Sequence, residues 1–450
     1  MSILRVVRHS QEIQAYQYER VTNSLLHLKM LDMSHIELVL GRIRQVCRII
    51  DNPQNAYRSI LVGGTNGKGS VCAFLTSILQ EAGLKVGLYT SPHLINAEER
   101  IQINSEPINK LDLAKSIMML KKIDSENKIG LTYFEFLTAI AFKYFRDNNV
   151  DIGVFEVGLG GRYDATNILN PLISCITHID YDHINILGKT LSKIAREKAG
   201  IIKESGYFIN AESRYYLKKI FKDECVKKQS VYVDAMRGCK FDVKFINPYY
   251  KLFLTTPKRS YKPIVIPLIG YHQVINTILA IRIAEQLNLF NIDISPSEIM
   301  RGIKRVHWEG RIEIISQKPV VIVDCAHNPD GINAVINAMK LIKRKRLFIV
   351  YGVLRDKLWK RMTKLIDEIA DYIIFTKPDS DRALSPNEFL KINLKTAFEI
   401  ESDPEVALAK GIEKVSSDDI ILVLGSTYLV GEIKSLVKRK GIVREFDKFN

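Results

Sequence analysis

Four glycines, Gly63, Gly64, Gly67 and Gly69, surround Lys68 in the stretch "LVGGTNGKGSV" (61–71). Glycines let backbone N–H groups approach anionic oxygens closely, and the lysine adds a point charge, so the spacing suits phosphate. The common phosphate loop reads G-x-x-x-x-G-K-[ST]. Here Gly69 follows Lys68, the hydroxyl arrives one place late at Ser70, and Val62 stands where the first glycine belongs. An apolar run before the loop and an amphipathic pattern after it still supply the strand, loop and helix start that phosphate binding requires. A tight turn with an exposed lysine is the plain alternative.

Other polar residues follow apolar runs in the same manner. "KVGLYTS" leads to Thr90, Ser91 and His93; "IGVFEVGLGG" delivers Glu156; "LISCITHID" delivers His178 and Asp180, with Asp182 and His183 just beyond. Ligands of open parallel sheets bind beyond the carboxyl ends of strands, so these tips converge if the strands are neighbours. A carboxylate facing phosphate points to a bridging Mg²⁺, which takes few protein ligands and keeps its waters. For Glu156 the alternative is a turn cap. His183 could complete the metal shell, although a lone histidine is more often structural. Ser91 precedes Pro92, and Ser-Pro also opens turns. Periodicity in "AREKAGIIK" (195–203) reads Lys198 as a solvated helix lysine. Further on, "VDCAHNPDG" sets Asp324 and His327 at a strand tip, and "HWEGR" sets Arg311 on a presumed hinge.

Short apolar runs alternating with helical patterns predict an α/β fold with a mainly parallel sheet. The spacing predicts a strand at 59–64, a helix at 70–83 ended by Gly83, and strands at 85–91, 152–161 and 172–180. Residues 207–268 read as irregular and strand-like, and 271–288 as a long helix. A second series follows "VHWEGR" (306–311): "VVIVDCAHNPDG", "RLFIVYG", "DYIIFTK" and "IILVLGSTY" predict four strands of a smaller Rossmann-like domain. The expected division is 1–306, a hinge at 307–312, and 313–450.

A chain of 450 residues is long for one core, which agrees with two domains. No apolar run is long enough to cross a bilayer, and the first twenty residues are charged too often for a signal peptide. Six scattered cysteines without a C-x-x-C pair argue against a zinc site or disulfide framework and for a reducing compartment. A soluble, cytoplasmic protein with no membrane partner is expected. The formal charge of +15 would suit a nucleic-acid binder. Its basic residues are spread along the chain, however, so a solvated basic surface is preferred and no nucleic-acid partner is expected. A positive field also draws small polyanions.

Taken together, the stretches "GTNGKGSV", "TSPHL", "LTYFEFLTAIAF", "EVGLGGRYDATN", "THIDYDHINILGKTLSKIAREKAGIIK", "HQVIN", "GRIEII", "DCAHNPDG", "YGVLRDK" and "GSTYLVGEI" resemble the folylpolyglutamate synthase and dihydrofolate synthase family of the Mur ligase superfamily. They occur in family order from about 61 to 433, and "EVGLGGRYDATN" and "EKAGIIK" are long enough to be specific. The resemblance implies a P-loop-containing parallel-sheet N-terminal domain and a smaller Rossmann-like C-terminal domain. It also implies a ligase using ATP and Mg²⁺, with K⁺ as a further candidate ion, acting on L-glutamate and a folate or dihydropteroate. A γ-carboxylate would attack the γ-phosphate of ATP, and the amine of glutamate would then attack the acyl phosphate. Such a site must neutralise phosphate charge, align the attacking groups and exclude water.

By position, the resemblance assigns ATP binding to Gly67, Lys68, Gly69, Ser70, Asn276, Arg311 and Asp324. It assigns metal binding to Ser91, Glu156 and His183, a carbamate to Lys198, and a place beside the phosphates and incoming glutamate to His327. Thr132, Tyr163, Asp164 and Ala165 match segments that contact the pterin substrate. The segment Leu31-Asp32-Met33 matches more loosely; from spacing alone Asp32 is a helix cap. Departures are Cys325 for a usual glycine, Glu309 for proline in the hinge, Leu358 for a charged residue, and Tyr163 for leucine. A monomer is expected. The rival readings are a cell-wall Mur ligase, a P-loop kinase or transport ATPase, and a folate-binding remnant. The sequence leaves open the preferred acceptor and the length of the glutamate chain.

Overall fold

A computed structural model describes Leu31, Glu37 and residues 39–440; Asp32 and Met33 lie outside these residues. The larger half is built on an eight-stranded sheet: β1 (Arg58–Gly63), β2 (Val86–Tyr89), β3 (Ile101–Ile103), β4 (Glu106–Pro107), β5 (Ile152–Glu156), β6 (Ile173–Ile176), β7 (Tyr207–Asn210) and β8 (Val231–Asp234). Their order is β4-β3-β2-β5-β1-β6-β7-β8. From β2 to β8 all neighbours run parallel, while β3 and β4 form an antiparallel edge. Strands β2, β5, β1 and β6 are therefore consecutive neighbours, and the four tips singled out in the sequence do share one end of the sheet. Each of these strands is buried on both faces, apart from the exposed Arg58. That explains why they read as unbroken apolar runs rather than alternations.

Helices cover both faces. On one face lie α1 (Lys68–Glu81), α2 (Tyr271–Gln286) and α3 (Pro296–Arg305), packed on Ile60, Val62, Val154 and Cys175. Gly83, at φ 81°, ends α1, its N–H donating to the Gln80 carbonyl at 2.9 Å. The other face is covered by the helices Tyr133–Asp147, Leu191–Lys198 and Tyr215–Lys227. The segment 207–268 is more regular than expected. It holds β7, the helix Tyr215–Lys227, β8 and a three-stranded antiparallel sheet of β9 (Lys240–Ile246), β10 (Tyr249–Thr255) and β11 (Ser260–Ile266). That helix buries only the narrow stripe Leu217, Phe221 and Cys225, so its run of lysines masked the helical period.

After Gly310 the chain forms a six-stranded sheet. Its strands are β12 (Glu313–Gln317), β13 (Val320–Asp324), β14 (Leu347–Tyr351), β15 (Tyr372–Phe375), β16 (Phe398–Ile400) and β17 (Ile420–Leu424), in the order β12-β13-β17-β14-β15-β16. The four expected strands form its parallel centre. Strand β12, antiparallel, and the three-residue β16 occupy the edges; half-exposed and short, they lack the apolar runs of the others. Helices α4 (Pro329–Met339) and α5 (Thr427–Lys440) pack on opposite faces of this sheet. The two halves also interlock. Leu94, in the loop after β2, packs into the apolar cluster of Val323, Cys325, Leu429, Val430 and Ile433.

Candidate active site

The glycine loop is laced to the loop after β6. Thr65 N–H donates to the His178 carbonyl at 2.7 Å, Thr177 N–H to that of Gly63 at 2.9 Å, and Thr177 Oγ1 to that of Asn66 at 2.6 Å. Two of its glycines are sterically required. Gly64 has φ 144°, and a methyl there would stand 1.9 Å from Thr177 Oγ1; Gly67 has φ 85°, and one there would meet Asn276 Oδ1 at 2.6 Å. Gly69 answers to a different neighbour. A methyl on it would lie 3.1 Å from both Nε1 and Cζ2 of Trp308, on the segment joining the two halves.

Two lysines close on this loop. Lys68 Nζ donates to the Thr65 carbonyl at 3.1 Å, and Lys198 Nζ to the Gly64 carbonyl at 2.7 Å. Lys198 is not the solvated helix lysine that its periodicity suggests: it is 5% exposed, and burial followed by the nearby Lys68 pushes its pKa down to about 7. It sits at the last position of its helix, where the exposed face gives way to the sheet, and hydrophobic periodicity does not reveal such a switch.

Glu156 ends β5 with a fixed direction. Its neighbour Phe155 is fully buried among Tyr57, Tyr89, Phe142 and Phe145, with ring centroids 5.3 to 6.3 Å away. Truncating such a phenylalanine costs about 3–5 kcal/mol, so the strand tip is rigidly held. The Glu156 carboxylate accepts the Ser91 N–H at 3.0 Å and lies 3.9 Å from Lys68 Nζ. Burial pushes its pKa up against the pull of Lys68. His183, at φ 48°, is kept in its neutral form by burial, with its pKa lowered to about 4. A buried carboxylate, a hydroxyl and a neutral imidazole form a donor set that fits a hard divalent cation such as Mg²⁺ or Mn²⁺.

The second half faces this constellation through its own strand tip. Both oxygens of Asp324 accept backbone N–H groups, from Ile312 at 2.9 Å and Ala326 at 2.7 Å. Asp324 thereby fixes the exit of the joining segment, where Ile312 is held at φ 47°, an unusual conformation for a β-branched residue. Asp182 is the opposite anchor. Its carboxylate accepts Lys357 Nζ at 2.7 Å and Asn328 Nδ2 at 3.4 Å, and lies 3.3 Å from His327 Nε2. Burial alone would raise its pKa, but His327 and Lys357 hold it well below the usual carboxylate range.

Between the halves lies a cavity of roughly 700 Å³, within the size range of small-molecule sites. Gly67, Lys68, Gly69, Ser70, Glu156 and Lys198 line its floor; Ser91, His183, Asn276, Arg311, Asp324 and His327 also reach it. Thr132, Tyr163, Asp164 and Ala165 form part of its wall. Two of these four carry local structure as well. Thr132 caps the helix Tyr133–Asp147 in a box with Glu135, and Asp164 accepts the Leu159 and Thr166 N–H groups at 2.8 and 3.0 Å. Every residue that the resemblance assigns to the site, within the described residues, therefore lines this one cavity, whereas Thr90, His93 and Asp180 do not. Sequence reading missed Trp308, the seating of Leu94, and Asn66, whose Nδ2 donates to Asp330 Oδ2 at 2.7 Å. Only Asn66 offered a signal, as a long polar side chain among glycines.

Comparison with known proteins agrees with this geometry. Residues 62–284 match the Mur ligase middle domain, and residues 310–427 the Mur ligase glutamate ligase domain. A dihydrofolate synthase/folylpolyglutamate synthase of Bacillus subtilis is 35% identical over 407 residues, covering 89% of this chain and 95% of the relative. The chain belongs to the folylpolyglutamate and dihydrofolate synthase family of Mur ligases. Within that family, the folylpolyglutamate synthase of Mycobacterium tuberculosis, solved with ADP and AMPPCP, superposes with a TM-score of 0.85 at 28% identity, over 92% of this chain and 98% of that one. A bifunctional folylpolyglutamate synthase/dihydrofolate synthase with Mn, AMPPNP and L-glutamate bound gives 0.83 at 27% identity, over 93% and 98%. Among the described residues no helix is long and apolar enough to cross a membrane.

Proposed function

We propose that this chain is an ATP- and divalent-metal-dependent ligase that joins L-glutamate to folates and to dihydropteroate through an acyl phosphate. One observation carries the reading: the glycine loop with its two lysines faces Asp324 and His327 across a single cavity, in a chain that matches both Mur ligase domains over most of its length. The named relatives and their bound nucleotides, metal and glutamate support the same substrates.

In this reading Lys68 and the N–H groups of Gly67 to Ser70 hold the ATP phosphates, and Asn276, Arg311 and Asp324 serve the rest of the nucleotide. Ser91, Glu156 and His183 hold Mg²⁺, which would neutralise charge on the phosphates when bound; K⁺ is included among the ions to be tested. With its pKa lowered to about 7, the Lys198 amine is unprotonated in much of the population near neutral pH; that form adds to CO₂ and loses a proton, becoming an anionic carbamate among the cations of the loop. The acceptor lies against Thr132 and Tyr163 to Ala165, with its carboxylate toward the ATP γ-phosphorus. Attack releases ADP, the glutamate amine then attacks the acyl carbon beside His327, and phosphate leaves. The halves seated on Asp182 keep water from the acyl phosphate. The proposed division is 1–306 and 313–450, with residues 307–312 as the hinge, in a cytoplasmic monomer.

The test is direct. Purified protein is incubated with ATP, Mg²⁺ and labelled glutamate, separately with dihydropteroate and with tetrahydrofolate. Label is expected in the amide product of both acceptors, with ADP and phosphate formed in equal amounts. ADP formation without amide would favour the kinase or ATPase reading.

A further inference from the structure

We propose that His178, Asp180 and Asp330 form a divalent transition-metal site that ties the two halves of the chain together. None of these three residues has a part in the proposed ligase chemistry, and the inference does not rest on it. His178 and Asp180 lie in the loop after β6, whereas Asp330 lies in the first turn of α4, in the other half.

Three features fit an ion shared by these groups, which without one form an ion pair between His178 and the two carboxylates. The first is spacing. His178 Nε2 stands 3.7 Å from Asp180 Oδ2 and 3.5 Å from Asp330 Oδ2, and the three atoms all lie within 4.8 Å of one another. These separations are long for hydrogen bonds. Metal bonds of about 2.0–2.2 Å set tetrahedral ligand atoms about 3.4 Å apart, which is close to what is seen. The second is the far side of the ring. Metal-bound histidines usually turn their other nitrogen to a carboxylate that fixes the ring. Here His178 Nδ1 faces Glu212 Oε2 at 3.8 Å, and Glu212 is fully buried, locked in place by Arg214 Nε at 2.8 Å and the Arg214 N–H at 2.9 Å.

The third feature is how the carboxylates are held. Asp180 N–H donates to Thr65 Oγ1 at 2.9 Å, its Oδ1 accepts the Tyr181 N–H at 2.6 Å, and its Oδ2 is left to face the ring. Asp330 Oδ2 accepts Asn66 Nδ2 at 2.7 Å, which aims it at His178 while leaving a lone pair. One imidazole and two carboxylates suit Mn²⁺, Fe²⁺ or Zn²⁺. All three residues are partly exposed, and His178 and Asp330 line the cavity, so an ion can enter. Bound there, it would bridge the halves beside the glycine loop and stabilise their closed arrangement.

The test uses the full chain without nucleotide, with Glu156→Gln to weaken the phosphate-side metal site. Titration with Mn²⁺, followed by the electron paramagnetic resonance of the free ion, is expected to show one bound equivalent. Adding His178→Asn should weaken that binding at least tenfold, and Asp330→Asn, on the partly exposed rim, should do the same should the first variant fold poorly. Mn²⁺ should raise the melting temperature of the parent protein and not that of either variant. Absence of bound Mn²⁺ in the Glu156→Gln protein, or binding unchanged in both variants, overturns the site. So does an imidazole NMR signal showing His178 doubly protonated at pH 7 with saturating Zn²⁺, since the ring would then be a cation bridging the carboxylates by itself.

Discussion

Replacing Gly431 with alanine should cripple catalysis while leaving most of the stability in place. A methyl at Gly431 would stand 2.0 Å from the Leu94 carbonyl oxygen and 2.9 Å from its carbon. Ordinary carbon–oxygen contacts are about 3.3 Å or more, so the two backbones must separate by about 1.3 Å. Helix α5 is the less yielding side, because Leu429, Val430 and Ile433 are fully buried in the core of its own half. The loop bearing Leu94 therefore gives way, and it also carries Ser91, whose N–H donates to Glu156 at 3.0 Å. Overpacking of this kind costs about 1–3 kcal/mol of stability. A misplacement of about 1 Å at reacting groups costs on the order of 10²-fold in rate. The assay is kcat and KM for amide formation across a Mg²⁺ series, beside thermal unfolding. Expected are a kcat lowered by about 10²-fold, a raised Mg²⁺ requirement and a modest fall in melting temperature. Gly41→Ala is the control, because a methyl there meets nothing within 4 Å. A Gly431→Ala enzyme with unchanged kcat and Mg²⁺ dependence would refute the coupling of this contact to the Ser91 loop.

Three further outcomes are expected. Glu156→Gln keeps size but removes charge, so activity should fall at least tenfold and recover in part at high Mg²⁺; an unchanged metal titration would reduce Glu156 to a turn residue. Lys198→Ala should be inactive and partly rescued by small carboxylates such as formate or acetate, while a bare amine at Lys198 in a crystal structure of the active, bicarbonate-treated enzyme would exclude the carbamate. Asp182→Asn removes the charge that holds Lys357 and His327, and loss of a buried charged partner costs about 3–5 kcal/mol; small-angle scattering should show a more open molecule, and an unchanged profile with wild-type turnover would exclude Asp182 as the seat between the halves.

What the sequence reveals is set by how local each determinant is. The four central strands of each sheet are legible because burial on both faces writes itself as uninterrupted apolar residues, and Glu156 is legible because it ends such a run. The convergence of Ser91, Glu156 and His183 follows from the rule for strand ends, but the β2-β5-β1-β6 order that makes it true depends on pairings far apart in the chain. Lys198 shows the opposite case: its burial comes from the Gly64 carbonyl, 134 positions away, which helical periodicity cannot register. The helix Tyr215–Lys227 was hidden by its lysines, and β12 and β16 by their exposure. Family resemblance rather than pattern brought Asn276 and Thr132 to the site. The cap that the Thr132 hydroxyl provides is spelled locally, because Thr132-x-x-Glu135 ahead of an apolar run is a capping box.

The odd spelling of the glycine loop has a bearing on transplantation. Gly69 is bare because the Trp308 ring lies over it, so this loop is half of a two-part object whose other half arrives 239 residues later, on the segment that joins the two sheets. A loop cut from a conventional nucleotide-binding protein, with its hydroxyl residue after the lysine, brings a side chain into the place taken by the indole. Conversely, "GTNGKGS" moved into another scaffold leaves α1 with an uncovered glycine in its first turn, where the helix start gains entropy and loses its lid. In chimeras within this fold, the loop and the joining segment are best exchanged together, as one cassette.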